Sequence, residues 1–93
     1  MLPIVPLDRD TIEIGGTKVE YRSLSRDEVG QLSGFGEDTA AAEVFALSRA
    51  TGVTDDEARE WRKQVGSKVV ADLLTAIALI SGISTRKGPR GNP

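Results

Sequence analysis

Three groups of residues in this chain have types and spacing that suggest chemistry. Asp55, Asp56 and Glu57 offer three carboxylates to a divalent cation. Gly15-Gly16-Thr17-Lys18 is similar to part of a phosphate-cradling loop. Ser25, Ser33, Ser48, Ser67 and Ser81 are candidate nucleophiles. Spacing and composition argue against all three. Consecutive helical residues point about 100° apart, so the three acids converge poorly on one ion. Thr54 to Glu57 instead has the spacing of a capping box, and acids are favourable at a helix N-terminus. The glycine pair lacks the GxxxxGK[ST] spacing of a phosphate loop and suits a tight turn. Gly34-Phe35-Gly36 likewise reads as a loop rather than a nucleotide cradle. The chain contains no histidine to activate a serine, and no cysteine for a disulfide or thiolate metal site. Nothing pairs Lys18, Lys63 or Lys68 with a serine. The expectation is therefore no catalytic residue, no cofactor and no metal, in a protein that is not an enzyme.

What remains is apolar surface, concentrated in Ser67 to Ile83. Val69, Val70, Leu73, Leu74, Ile77 and Ile80 follow the i, i+3, i+4, i+7 spacing of an amphipathic helix. Leu79 and the alanines widen that stripe almost to a full turn. Ser67 is expected to cap the start and Gly82 to end the helix. A helix apolar nearly all round should be buried on most sides. Ninety-three residues make one domain with one modest core. The helix is therefore the spine of a tight bundle, gives one face to a partner, or both.

The elements around it follow in chain order. Residues 1–10 read as an extended arm, because Pro3 and Pro6 disfavour helix for themselves and their predecessors. Residues 11–22 read as a hairpin turning at Gly15-Gly16, with Ile14 opposite Thr17, Glu13 opposite Lys18 and Ile12 opposite Val19. That register puts Ile12, Ile14, Val19 and Tyr21 on one face and a Glu13–Lys18 ion pair on the other. A helix over 25–33 opens on the capping box Ser25-Arg26-Asp27-Glu28, stapled by Leu24 and Val29. A second spans 38–51, with Ala41, Val44, Phe45 and Leu47 apolar, and Gly52 closes it. A third spans 54–65, with Ala58, Trp61 and Val65 as its stripe. Gly66 breaks it before the final helix at 67–81. The predicted architecture is α+β, mostly α: an N-terminal β-hairpin followed by a bundle of about four helices, forming a single domain over 11–83.

Charge and composition restrict the partners. The net charge is −2, but residues 84–93 carry Arg86, Lys87 and Arg90 without an acid, leaving the rest at −5. An acidic body does not suit neutralisation of nucleic-acid phosphates. The tail, rich in glycine and proline and lacking apolar residues, reads as flexible and basic. MLPIVPLDRD lacks the basic start and unbroken apolar run of a signal peptide. The helix from Ser67 is too short for a bilayer and contains Asp72. The expectation is a soluble, cytoplasmic protein.

The order of features points further. Leu24-Ser25-Arg26-Asp27-Glu28 follows the hairpin, then comes an alanine-rich helix, then Val53-Thr54-Asp55-Asp56-Glu57, and finally a helix ending Ser81-Gly82-Ile83. Over residues 11–83 this resembles the tail assembly chaperone family of long-tailed bacteriophages, and the short form within it. The resemblance implies a chaperone that coats the long, apolar, helical tape measure protein in the host cell cytoplasm until tail tube polymerisation. It also implies that a longer, frameshifted form recruits the tail tube protein. The expected client or oligomer surface is Val70, Leu73, Leu74, Ile77 and Ile80, braced by Phe45 and Trp61. Exposed aliphatic side chains of this kind favour a homo-oligomer. Methionine occurs only at position 1, so the methionine-rich surface of many promiscuous binders is absent. The rival expectation is a structural virion component, a connector or minor tail protein, assembling through its hairpin and terminal arms. A DNA-binding regulator using the basic tail comes third, disfavoured by the acidic body.

Overall fold

Gly15 and Gly16 adopt φ of +58° and +83°, the positive values that a two-residue hairpin turn requires at both central positions. They join β1 (Arg9–Ile14) to β2 (Thr17–Arg22) in a two-stranded antiparallel sheet. The computed structural model describes residues 1–83, and its register pairs Ile14 with Thr17, Glu13 with Lys18 and Ile12 with Val19, as the turn chemistry predicts. Strand pairing begins at Arg9, two residues before the predicted start, and Ser23 N–H donates to the Asp8 carbonyl at 2.8 Å beyond it. Tyr21 is buried, and Ile12, Ile14 and Val19 are half-buried on the same face. Glu13 and Lys18 stand opposite each other without pairing; the ion pair on that face is Arg9–Glu20, at 3.6 Å between exposed side chains.

Four helices follow: α1 (Arg26–Ser33), α2 (Thr39–Thr51), α3 (Asp55–Gln64) and α4 (Ser67–Ile80). The α+β, mostly α architecture read from the sequence is the one observed. Both capping boxes close, Ser25 with Glu28 and Thr54 with Glu57. Asp38 caps α2 through Ala41 N–H, and Gly52 ends it at φ +82°. Helix α4 differs from expectation at its start. Gly66 is the N-cap with no side-chain capping bond, and Ser67 already lies inside the helix, so its hydroxyl does not cap. Its end is as expected: Gly82 N–H donates to Leu79 and Ile83 N–H to Ala78, the paired bonds of a Schellman motif.

The core gathers one face of each element. Leu47 and Ile77 are almost fully buried, with Tyr21, Leu24, Val44, Ala46, Ala50, Ala58 and Leu73 around them. Helix α2 lies at the centre, packing against α1, α3, α4 and β2. Helix α4 is less enclosed than its composition suggests. Val70, Leu73 and Ile77 are buried, whereas Ala71, Asp72, Thr75 and Leu79 face solvent. The 84–93 tail lies outside the described residues.

Candidate functional site

The seven residues expected to form a partner surface fall into two sets. Val70, Leu73, Ile77 and Phe45 are between 1% and 7% exposed. In this structure they build the chain's own interior, and Leu73 and Ile77 reach the surface only as groove lining. The inward face of α4 is therefore Val70, Leu73 and Ile77, with Leu74 and Ile80 beside it at the margin. Phe45 stands apart from the central cluster: its ring meets Phe35 at 5.6 Å between centroids, and the Arg49 guanidinium lies 4.7 Å above it. Leu74, Ile80 and Trp61 are half-buried against the core and keep part of their surface accessible.

Trp61 and Leu74 belong to different depressions. The larger, of about 420 Å³, is bounded by β2, α2, α3 and α4. Trp61, Leu47, Ala58 and Leu73 give it an apolar floor, Val19 and Val53 its sides, and Glu57 and Glu60 a negative margin. The smaller, of about 230 Å³, lies between α1, α2 and the C-terminal end of α4. Leu24, Leu32, Ala42, Ala46, Leu74 and Ile83 line it with almost no polar surface. Sequence reasoning names Trp61 and Leu74 but misses Val19, Val53, Leu24 and Leu32. Those residues come from separate elements, and only tertiary packing brings Val19 and Val53 to the larger groove and Leu24 and Leu32 to the smaller.

Charged side chains fasten the elements that form the walls. Glu43 accepts from Arg62 at 2.6 Å, clamping α2 to α3. Glu28 accepts two bonds of 2.9 Å from the Arg22 guanidinium while its Oε1 also accepts from Ser25 N–H. Its carboxyl is held down to about 2, first by the Arg22 hydrogen bonds and further by the Ser25 backbone, against the opposing effect of burial. One side chain thus serves the α1 cap and the hairpin together. The acids at the head of α3 have separate tasks. Asp55 lies 3.7 Å from Arg49, Asp56 accepts from Arg59 at 3.1 Å, and Glu57 accepts from Thr54 N–H at 3.1 Å. Among the described residues no group of three or more potential ligands is placed to hold a metal ion.

Ser81 carries a contact that its sequence position alone does not announce. Its hydroxyl oxygen accepts from Leu24 N–H at 2.8 Å, joining residues 57 positions apart. The Ser81-Gly82-Ile83 ending therefore ties the final helix to the hairpin–α1 junction. Comparison of the chain with protein-family models, with curated proteins and with solved structures finds no match. Among the described residues no helix is long and apolar enough to cross a membrane.

Proposed function

We propose that the chain is a non-enzymatic tail assembly chaperone of a long-tailed bacteriophage. It binds the apolar, helical tape measure protein in the host cytoplasm and keeps it soluble until tail tube subunits arrive. In this reading a longer form of the chain recruits the tube protein. The observation that carries the proposal is the open apolar groove around Trp61. A client helix laid into such a groove buries its apolar face by the helix-in-groove mode. Tryptophan supplies a large rigid contact, the kind of residue on which interface energies concentrate. Glu57 and Glu60 at the margin favour client helices flanked by Lys or Arg and disfavour acidic ones. The order of capping boxes and the Ser-Gly-Ile ending supply the family resemblance.

The test is co-expression with a large apolar helical protein encoded beside this chain, scored by the fraction of client that stays soluble and co-elutes. The informative variant is Val53→Asp. Val53 lines the groove and is 37% exposed, so a charge there is solvated and leaves the core intact. Val53→Asp is expected to lower co-eluting client at least about tenfold, a loss of about 1.4 kcal/mol of binding. Unchanged solubilisation by a folded Val53→Asp protein removes the groove from the proposal.

A second reading, a structural virion component, is favoured by the exposed N-terminal arm and the two open edges of the hairpin, both suited to ordering on assembly. Its presence in purified particles separates the two readings, since a chaperone leaves before the tail is complete.

A further inference from the structure

The N-terminal arm is the largest apolar anomaly on the surface. Leu2 is 86% exposed, Ile4 95% and Val5 74%, and Met1 and Leu7 are exposed beside them. Five apolar side chains in seven residues is far more than a solvated segment needs, and contiguous apolar surface of this kind marks an interaction site. Pro3 and Pro6 restrict the arm to extended conformations, which lowers the entropy lost when it docks. Its root is fixed, because the Asp8 carbonyl accepts from Ser23 N–H at 2.8 Å. The next residue, Leu24, forms one wall of the smaller groove. The arm therefore springs from the rim of an apolar groove while leaving that groove open.

We propose that the smaller groove receives the N-terminal arm of a second copy of this chain, and that two copies exchange arms reciprocally to form a dimer. The dimensions agree. Thr39, Ala42, Glu43 and Ala46 line the groove from α2 at i, i+3, i+4 and i+7, a wall about 10 Å long at the helical rise. Three or four extended residues span that length, so Ile4 to Leu7 suffices to fill it. The chemistry agrees as well, since an uncharged aliphatic strand meets a mainly aliphatic trough whose one acid, Glu43, is already paired with Arg62. In the single chain the arm stands off its own groove, which is why the occupant is assigned to a partner copy. Reciprocal exchange closes the association at two subunits, since each copy offers one arm and one groove. This inference does not rest on client binding, which uses the other groove.

The test uses the full chain and begins with its mass in solution by light scattering over a range of concentrations. The wild type is expected to reach twice the monomer mass. Ile4→Asp, on a side chain with no packing to lose, is expected to weaken dimerisation at least about tenfold with an unchanged circular dichroism spectrum. The chain has no cysteine, so Ile4→Cys and Ala42→Cys place single thiols on arm and groove. An oxidised mixture of the two variants should give cross-linked dimer in excess of either alone. A monomeric wild type, a dimer unaffected by Ile4→Asp, or no mixed cross-link overturns the proposal. So does a doubly substituted chain that closes its disulfide within one copy, because that places the arm on its own groove.

Discussion

At the scale of single residues, polar contacts fasten the ends of elements and make the fold sensitive to acid. Glu28 titrates in the folded chain at about 2, well below its ordinary 4.5. A depressed carboxyl adds stability above its unfolded value and loses it as pH falls towards the folded one. The window is therefore pH 4.5 down to about 2, and the upper bound is about 3 kcal/mol. Urea midpoints should fall between pH 7 and pH 3, with about 2 kcal/mol of the loss from this group. Glu28→Gln should be less stable at pH 7 and lose less over the same interval. An identical pH dependence in wild type and variant would show that Glu28 is not the responsible group. Ser81→Ala makes a different test. It leaves Leu24 N–H without the oxygen it meets at 2.8 Å, and an unsatisfied buried donor costs about 1–3 kcal/mol. Replacement by threonine keeps the hydroxyl and should restore most of the loss, measured by the same urea midpoints.

At the scale of elements, the sequence is most legible where one residue type allows one conformation. Gly15-Gly16 sets the hairpin register because only positive φ fits that turn. Ser25…Glu28 and Thr54…Glu57 set two helix starts because their side chains complete reciprocal bonds. Helix α4 is legible as a helix but not in its orientation. Its alanines and Leu79 enlarge the apolar arc, so the stripe alone does not say which part meets α2. The structure puts Val70, Leu73 and Ile77 inward and leaves Leu79 65% exposed. The grooves were illegible for another reason: their walls are shared between elements far apart in sequence. This placement changes what a mutation at Leu74 reports. Leu74 is half-buried against the core, so Leu74→Asp desolvates a carboxylate as well as altering a surface. It is expected to lower the thermal midpoint markedly before any partner is added, as burial of an unpaired charge does. Leu79→Asp, on the same helix, should leave the midpoint within about a degree or two. Equal behaviour of the two variants would mean that α4 is turned differently.

At the scale of the whole molecule, stability depends on α2. Among the described residues it is the one helix that packs against α1, α3, α4 and β2, while α4 adds direct contacts to both strands of the hairpin. A two-stranded hairpin is marginal in water by itself, and α1 buries no residue fully. Neither is expected to persist once α2 is displaced. Leu47, 2% exposed at the middle of α2, is the position where this dependence is most concentrated. Leu47→Ala should cost about 2–5 kcal/mol, a large share of the roughly 5–15 kcal/mol typical of natural domains. The loss should be cooperative. Helical signal at 222 nm and the fluorescence of Trp61 on α3 should fall together on urea addition, because α3 is clamped to α2 through Arg62 and Glu43. The arm predicts the opposite pattern. Met1–Leu7 is exposed along its whole length, so its removal should leave the unfolding midpoint of the dilute monomer unchanged and act only on association. A domain that loses Leu47 and still unfolds in two separate steps, hairpin first and bundle later, would show that α2 is not the common support.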